Sequence, residues 1–534
     1  MTRTGSTLKP RKAVRPTIAL AAAAAAAGAL IAGCTAGAPT ATGTHHGWVS
    51  GLPLKDPPDL TAAPGSDAKL RLVAAPTRFD LSGRSVSGAS YNGSFVGPTV
   101  HLAPGEHVQL TLVDHLATPT DLHFHGMHLS PSGSADDVSL SVAPGHSFPY
   151  ELDIPADQPQ GTFWYHDHDM CMGPATVPCA DVESQVFAGL AGTIVVGDDR
   201  SLLPSGLRAI TAHTLVFKDV QVDATGHILQ DTPTGATINS DAPAVRLVNG
   251  ELQPVLTMRP GEVQLWRLAN EGANIFYDLA LEGGRFTVIG EDGYPVAQVT
   301  TATTLVLPPG KRYDVLVTAP SLGQAWLRTL SYTNGPQGDW YPDTPLMQVR
   351  VAGPPEAAVP MPTGSLPTAP PDLANAPIAQ HRTVTLSEDS TGTQMYINGK
   401  QFDMANSVFS TPAALGTVEE WTITNTSGEV HPFHIHTEHF QVMSVDGAPK
   451  PFTGWQDTVP VPYEQNGVPG RVVIRIAFTD FTGKVMFHCH IAAHEDSGMM
   501  SYIDVVDPGG GGAAVAPANS KAGGVGGMTM GMGG

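Results

Sequence analysis

Histidines recur in this sequence as pairs separated by a single residue. In a β-strand, residues i and i+2 point to the same side, so each pair presents two imidazoles to one place. Eight imidazoles are more than one ion can use, and they fit three metal ions that keep positions open for oxygen ligands. One such pair would also suit an ordinary surface or core position, but four favour metal binding. The pairs are His123 and His125, His166 and His168, His434 and His436, and His488 and His490.

Cys489 supplies a donor of a different kind. It lies between two of these histidines and should project from the opposite face of the strand. Two imidazoles, a thiolate and a weakly bound thioether form a blue-copper electron-transfer site. Zinc is the alternative for a Cys/His set, but zinc sites rarely use methionine or lie beside eight further histidines. The remaining donors of this set are His431, His494 and Met499.

A glycine turn followed by an alternating apolar and polar strand occurs three times, at Gly105, Gly261 and Gly416. The spacing between the three is nearly constant. A period of this length with strand character predicts three copies of one β-sandwich domain rather than a solenoid of short repeats. The outer copies carry the histidine pairs, whereas the middle copy has Leu279-Ala280-Leu281 at the matching position. We therefore predict metal in the outer domains and none in the middle one.

Composition favours an all-β chain of several domains. Of 534 residues, 41% are hydrophobic, which is enough for real cores, and proline and glycine are abundant. A Pro- and Ala-rich stretch between the second and third copies predicts an extended connector. The predicted organisation is a first domain at 59–197, a second at 201–351, a connector at 352–377, a third domain at 378–506 and a disordered, Gly- and Met-rich tail at 507–534.

The N-terminal segment predicts export from the cytoplasm. Basic residues precede the apolar run Ile18–Ala32, which is too short for a comfortable membrane span. The run ends in Ile31-Ala32-Gly33-Cys34, which resembles the bacterial lipobox, whose cysteine becomes lipidated. Ordinary secretory cleavage is the alternative. We predict a signal peptide at 1–33 and a tether at 34–58.

Charge and cysteine content narrow the possible partners and the compartment. A net charge of −21 excludes nucleic acid as a partner, because phosphate binding needs a basic face. Of the four cysteines, Cys171 and Cys179 lie close together in one loop. In an oxidising compartment, a local disulfide between them is expected.

The motifs that hold these donors resemble the four copper motifs of the multicopper oxidase family, in its laccase-like, bacterial three-domain form. The resemblance covers residues 60–506, and the last motif is highly specific. The four motifs are His123-Phe-His-Gly, Trp164-Tyr-His-Asp-His, His431-Pro-Phe-His-Ile-His and His488-Cys-His-Ile-Ala-Ala-His-Glu-Asp-Ser-Gly-Met.

The resemblance implies three consecutive cupredoxin-like Greek-key domains that hold four copper ions, one of type 1, one of type 2 and two of type 3. The implied type 1 ligands are His431, Cys489, His494 and Met499. The implied type 2 ligands are His123 and His434. The implied type 3 ligands are His125, His166, His168, His436, His488 and His490.

The resemblance also implies an oxidase that couples one-electron oxidation of phenols, aromatic amines or metal ions to reduction of dioxygen to water. Water formation needs protons, and Glu495, Asp136 and Asp137 resemble acids that relay protons in bacterial relatives. A solvated surface charge is the alternative for each acid. The alternative function is a copper-tolerance protein of the cell envelope that oxidises cuprous ion or buffers copper. We expect the protein at the bacterial cell envelope, anchored through Cys34 or otherwise secreted.

Overall fold

The computed structural model describes residues 47–62, 68–169, 181–230, 238–240 and 244–509. The predicted signal peptide with Cys34, the two cysteines Cys171 and Cys179, and residues 510–534 lie outside these ranges. Among the residues that are described, no helix has the length and apolar character needed to cross a lipid bilayer. Strands supply almost all of the regular structure, which confirms the all-β prediction.

Domain 1 comprises two four-stranded sheets and a short helix. Its elements are β1 (Asp59–Leu60), β2 (Ala68–Leu81), β3 (Arg84–Tyr91), β4 (Gly97–Leu102), β5 (His107–Asp114), β6 (Ser147–Asp153), β7 (Gly161–His166), α1 (Val182–Ala188) and β8 (Ala191–Val196). The sheet orders are β1-β4-β8-β7 and β3-β2-β5-β6. In β5, Val108, Leu110 and Leu112 are buried and alternate with more exposed residues, as expected for a strand that packs one face on a core.

Domain 2 follows two short 3-10 turns at Asp199–Leu202 and Ser205–Leu207. Its strands are β9 (Ala212–Val220), β10 (Val245–Val248), β11 (Val255–Met258), β12 (Val263–Asn270), β13 (Tyr277–Leu281), β14 (Phe286–Glu291), β15 (Tyr294–Ala302), β16 (Thr304–Leu307), β17 (Arg312–Thr318), β18 (Gln324–Thr329), β19 (Tyr332–Thr333), β20 (Trp340–Tyr341) and β21 (Thr344–Val351). They form sheets of order β10-β9-β12-β17-β14-β15 and β11-β21-β18-β13-β16, with β19 and β20 as a separate pair.

Domain 3 holds the last strands and a second short helix. Its elements are β22 (Ile378–Glu388), β23 (Met395–Ile397), β24 (Ala413–Ala414), β25 (Thr417–Asn425), β26 (His431–Ile435), β27 (Phe440–Val445), β28 (Ala448–Pro449), β29 (Thr458–Val461), β30 (Gly470–Phe478), β31 (Gly483–Cys489), α2 (Ala492–Asp496) and β32 (Met500–Val506). The sheet orders are β23-β22-β25-β30-β27-β28 and β24-β32-β31-β26-β29. Strand for strand, these two sheets repeat the two large sheets of domain 2.

The repeat equates β13 of domain 2 with β26 of domain 3. Leu279 and Leu281 of β13 are buried in the apolar core, where β26 carries metal-type donors. The three repeat glycines, Gly105, Gly261 and Gly416, have φ values of 77°, 79° and 78°. This left-handed conformation is strained for a residue with a Cβ, which explains why the turn in each copy uses glycine.

Two segments outside the sheets pack against the domains. Residues 352–377 contain neither helix nor strand, yet Leu373 is buried and its backbone N–H donates to Gln441 of domain 3. Residues 49–54 fall within the predicted tether. The backbone N–H groups of Gly51 and Leu54 donate to carbonyl oxygens of Gln253 and Val255. This part of the predicted tether therefore lies on domain 2.

The repeat glycines give a stability prediction. Replacing Gly261 or Gly416 with alanine forces a Cβ into the left-handed region, at a cost of roughly 1–2 kcal/mol. At Gly261 the new Cβ would also lie 2.9 Å from the carbonyl oxygen of Glu356, whereas at Gly416 it would meet nothing within 4 Å. Calorimetry of the metal-free protein should show a lower melting temperature for both variants and the larger loss for Gly261→Ala. Equal losses would contradict the crowding at Gly261.

Candidate metal centre

Two strand pairings bring the histidine pairs together. In domain 3, β26 runs antiparallel to β31, with His434 opposite His488 and Phe433 opposite Cys489. In domain 1, His123 and His166 form an isolated antiparallel bridge. Each pairing thus joins one member of one histidine pair to one member of another, and the second members, His125, His168, His436 and His490, follow two residues later, just beyond the paired positions.

The two faces meet at the interface between domains 1 and 3. The ring of His123 stacks on that of His436 with centroids 3.7 Å apart, and His125 stacks on His434 at 3.8 Å. All eight imidazoles are buried. The structure therefore brings together all eight histidines of the four predicted pairs.

Ring nitrogens within this cluster approach one another closely. His436 Nε2 lies 3.0 Å from His488 Nε2, and His490 Nε2 lies 3.1 Å from His125 Nδ1. Several sets of three donor nitrogens lie within 4.8 Å of one another. These sets include His168 with His436 and His488, His123 with His125 and His166, and His123 with His434 and His436.

Burial favours the neutral form of seven of these imidazoles. Desolvation lowers the pKa of His434 to about 4. Desolvation also lowers the pKa of six further imidazoles of the cluster: His123, His125, His166, His168, His436 and His490. A neutral imidazole is the form that ligates a metal.

Hydrogen bonds at the outer nitrogens set which nitrogen faces the cluster. His434 Nδ1 lies 2.9 Å from the carbonyl oxygen of Asp457, and His166 Nδ1 lies 2.8 Å from that of Asp167. A carbonyl oxygen only accepts, so these Nδ1 atoms carry the proton and leave a lone pair on Nε2. The Nε2 atoms of His123, His166 and His434 are buried with no hydrogen-bond partner. Unpaired, inward-facing lone pairs fit bound metal ions.

His125 has the opposite orientation. Its Nε2 lies 3.1 Å from Asp457 Oδ1, so its Nδ1 is the nitrogen that faces His490. Asp457 is fully buried and was not predicted as a site residue. Asp457 lies outside the histidine motifs, and its contact with His125 joins domain 3 to domain 1, so no local sequence pattern identifies it.

Two of the three predicted acids contact the histidine cluster. Asp136 Oδ1 lies 2.9 Å from His123 Nδ1, and burial raises the pKa of Asp136 to about 7. Glu495 lies between two imidazoles, with Oε1 3.0 Å from His168 Nε2 and Oε2 3.0 Å from His488 Nδ1. Burial raises its pKa, but the two imidazoles outweigh burial and lower the pKa of Glu495 to about 2.

Asp137 has other contacts. Its carboxylate accepts hydrogen bonds from the hydroxyl and the backbone N–H of Ser139 and from the backbone N–H of Gly133. These donors belong to the same loop, so the carboxylate stabilises the turn after the first motif. Its neighbour Asp136 is the acid that the turn directs inward.

The thiol set forms a second centre within domain 3. Cys489 Sγ lies 3.5 Å from His431 Nδ1 and 3.7 Å from His494 Nδ1, and those two nitrogens are 3.2 Å apart. Met499 is buried beside them, and its backbone bonds to both Cys489 and His494. Burial raises the pKa of the Cys489 thiol, so a thiolate needs a bound cation here.

Carboxylates also hold the outer nitrogens of this second centre. His431 Nε2 lies 3.1 Å from Glu388 Oε1 and 2.8 Å from Ser427 Oγ. His494 Nε2 lies 3.2 Å from Glu429 Oε1. Each ring is thereby turned so that Nδ1 faces Cys489. Neither glutamate was predicted, and each lies outside the histidine motifs.

A cavity of about 450 Å³ opens beside His494. Its lining includes three acids, Glu183, Asp339 and Glu429, together with Asn274 and Asn334. Glu429 Oε2 accepts a hydrogen bond from Asn334 Nδ2 at 3.0 Å. Burial first, and then Glu388 and Asp339, raise the pKa of Glu429 to about 9. Glu429 is therefore protonated near neutral pH, and a cationic ligand bound in the cavity would displace this proton and offset the crowded negative charge.

A three-domain β-sandwich chain with a cluster of eight histidines between its outer domains and a Cys/His/Met set in the last one defines a copper oxidase scaffold. Family models described as "Multicopper oxidase" match residues 74–201, 211–353 and 371–509. The chain belongs to the multicopper oxidase family. The predicted family and its three cupredoxin-like domains are thereby confirmed, and copper is the metal that the family implies.

Relatives with different names share this architecture. A laccase of Bacillus subtilis is 28% identical over 487 residues, covering 78% of this chain and 90% of its own. The cell division protein FtsP of Edwardsiella tarda is 30% identical over 420 residues, covering 76% and 83%. A solved multicopper oxidase of Campylobacter jejuni, described as a metallo-oxidase, has a TM-score of 0.71 at 24% identity and covers 86% and 96%. Because these names differ, they do not identify the reductant of this protein.

Proposed function

We propose that the protein couples one-electron oxidation of a small reductant to reduction of dioxygen to water. The observation that carries this proposal is the placement of Cys489, the last residue of β31, between His488 and His490. The thiol lies in the Cys/His/Met set, and the two flanking imidazoles lie in the eight-histidine cluster. One stretch of three residues therefore joins both centres covalently.

Copper bound at the two centres would supply the one-electron redox chemistry. In the proposed assignment, His431, Cys489, His494 and Met499 bind the type 1 ion. The type 2 ion would be held by His123 and His434. The type 3 pair would be held by His125, His166, His168, His436, His488 and His490. The protein's part is to orient these donors and to exclude bulk water from the buried cluster.

Two paired variants test the division into two centres. Cys489→Ser should abolish the visible thiolate absorption and oxygen uptake while copper in the histidine cluster is kept. His490→Ala should keep the thiolate absorption but lower the number of copper ions per chain, and oxygen uptake should again be lost. Copper content, absorption and oxygen consumption are measured on the same samples, with His101→Ala, a histidine paired with Asp59 at the surface, as control. Full oxygen uptake in either variant would refute the proposal.

Protons for water formation would be relayed by Asp136, whose pKa is raised to about 7, and by Glu495, whose lowered pKa makes it a proton acceptor. Glu495 contacts His168 and His488 through its two oxygens, and Asp136 contacts His123. Both carboxylates are buried, so they can pass a proton to a site that bulk water does not reach. Asp137 is not part of this proposal, because its carboxylate bonds within its own loop.

Glu495→Gln keeps the size of the side chain and removes its ability to cycle a proton. We expect kcat for oxygen reduction to fall about 10²–10⁴-fold, the usual contribution of a positioned acid or base. Single-turnover reduction of the thiolate chromophore by the reductant should be unchanged, because that step does not use protons from Glu495. A wild-type kcat in this variant would exclude Glu495 as the proton carrier.

The acidic cavity favours cations among the predicted reductants. Carboxylate oxygens are the preferred ligands of hard divalent metal ions. Three acids line the cavity, and Glu429 is in direct contact with His494, a ligand of the proposed electron-accepting ion. Within the class of phenols, aromatic amines and metal ions, we therefore propose metal ions or cationic amines as the better substrates. Oxidation of cuprous ion, the alternative function, would be the same reaction with a softer metal ion as the reductant.

A comparison of substrates checks this preference. Glu429→Gln should lower kcat/KM for Fe(II), Mn(II) and Cu(I) by about tenfold or more, with a smaller change for a neutral phenol. Asp153→Asn, which alters an exposed acid of domain 1, serves as the control. An equal loss for phenol and metal ions would show that Glu429 tunes the site rather than selecting cations.

We also propose that the protein acts outside the cytoplasm, at the bacterial cell envelope. The sequence of residues 1–33 and the lipobox-like segment before Cys34 support this location. Membrane fractionation of cells that express the full chain, with Cys34→Ala for comparison, distinguishes a lipid anchor from secretion.

A further inference from the structure

Domain 2 reaches the histidine cluster although its own β13 carries leucines. The loop Pro308-Pro309-Gly310, between β16 and β17, lies against the cluster. A Cβ on Gly310 would lie 2.9 Å from Cδ2 of His490 and 3.0 Å from Cε1 of His125. The backbone at Gly310 therefore packs directly on two imidazoles that come from the other two domains.

Arg312, two residues further along, contacts all three domains. It is almost fully buried, and Nη1 and Nη2 donate to Oδ1 and Oδ2 of Asp457 in domain 3 at 2.9 and 2.7 Å. Its Nη1 also donates to the carbonyl oxygen of Gly310 at 2.9 Å, and its Nε donates to that of Thr162 in domain 1 at 3.3 Å. A two-pronged guanidinium–carboxylate contact fixes the plane of the carboxylate as well as its position.

Asp457, held by Arg312, in turn contacts two imidazoles of the cluster. Its Oδ1 lies 3.1 Å from His125 Nε2, and its backbone carbonyl oxygen lies 2.9 Å from His434 Nδ1. These are the two rings that stack on each other across the interface between domains 1 and 3. The orientation of both rings therefore depends on where Asp457 lies.

A second pair from domain 2 holds the backbone on either side of this contact. Asp292 Oδ2 accepts hydrogen bonds from the backbone N–H groups of Asp457 and Thr458, at 3.1 and 3.3 Å. Lys311 Nζ donates to the same Asp292 oxygen at 2.8 Å and to the carbonyl oxygen of Thr458 at 3.0 Å. The segment that carries Asp457 is thus clamped by domain 2 through side chain and backbone.

We propose that Arg312 of domain 2 is a positioning residue for the oxygen-reducing site, acting through Asp457 on His125 and His434. By holding Asp457 against His125 Nε2, it presents His125 Nδ1 to the cluster. This inference rests on the proposed function in that it takes the histidine cluster to be the copper site. Domain 2 thereby takes part in metal binding without supplying a ligand.

The matched variants are Arg312→Lys and Arg267→Lys. Lysine keeps the positive charge but cannot donate two parallel hydrogen bonds to one carboxylate, so the substitution removes only the bidentate geometry. Arg267 is also a buried arginine of domain 2, and its guanidinium pairs with Asp199 rather than with Asp457. A purely structural role predicts similar falls in melting temperature and no change at the metal sites for either variant.

Copper titration of the metal-free full chain provides the readout. Arg312→Lys should weaken copper binding at the histidine cluster by about 10–100-fold, the usual effect of removing an outer contact to a ligand. The paramagnetic resonance signal of the cluster should change, while the thiolate absorption of the Cys489 centre stays as in the wild type. Arg267→Lys should leave both signals unchanged. Asp457→Asn weakens the same Arg312–Asp457 contact by changing the carboxylate, and it should reproduce the Arg312→Lys result. It is the variant to measure if Arg312→Lys does not fold.

Wild-type copper affinity and cluster spectra in Arg312→Lys, or in Asp457→Asn if that is the variant that folds, would overturn the proposal. So would the same loss of cluster copper in Arg267→Lys. These measurements do not depend on turnover. If the wild-type protein binds copper but consumes no oxygen, the proposed function fails while the role of Arg312 is still decided by the titration.

Discussion

The rest of the site depends on the crowding of eight imidazoles at one buried interface. Their facing nitrogens present lone pairs to one another, and bound cations are what satisfy them. The carboxylates around the cluster orient the rings so that these nitrogens face inward. Asp136, Asp457 and Glu495 each contact the outer nitrogen of at least one ring, at His123, His125 and His488 respectively, so the other nitrogen is directed inward. The same arrangement recurs at the second centre, where Glu388 and Glu429 hold the two histidines.

One sandwich architecture serves three different purposes in this chain. Domain 3 holds a complete Cys/His/Met set, and it shares the histidine cluster with domain 1. Domain 2 repeats the strand order of domain 3 but fills β13 with Leu279 and Leu281. It contacts the cluster through the loop before β17, at Gly310, and through Arg312 at the start of β17, which binds Asp457. A domain without ligands can therefore still shape a metal site.

The ligands could be predicted from sequence because strand periodicity is a local property. His-x-His places two rings on one face in any strand, and Cys489 must then lie on the other face. Asp457 and Arg312 could not be predicted in this way, because they meet across 145 residues and belong to no local pattern. The choice between Asp136 and Asp137 likewise depended on the course of a turn. The segment at 49–54 was assigned to a tether because sequence does not show its hydrogen bonds to domain 2.

The interlocked stacking of His123 on His436 and of His125 on His434 has a consequence for biosynthesis. Half of each stack belongs to the first domain to be synthesised and half to the last. The eight-histidine cluster therefore cannot form until domain 3 has left the ribosome and docked on domain 1. The thiol centre, by contrast, needs only residues of domain 3. A complete histidine cluster is thus confined to chains that carry both outer domains, because no shorter nascent fragment contains both halves of each stack.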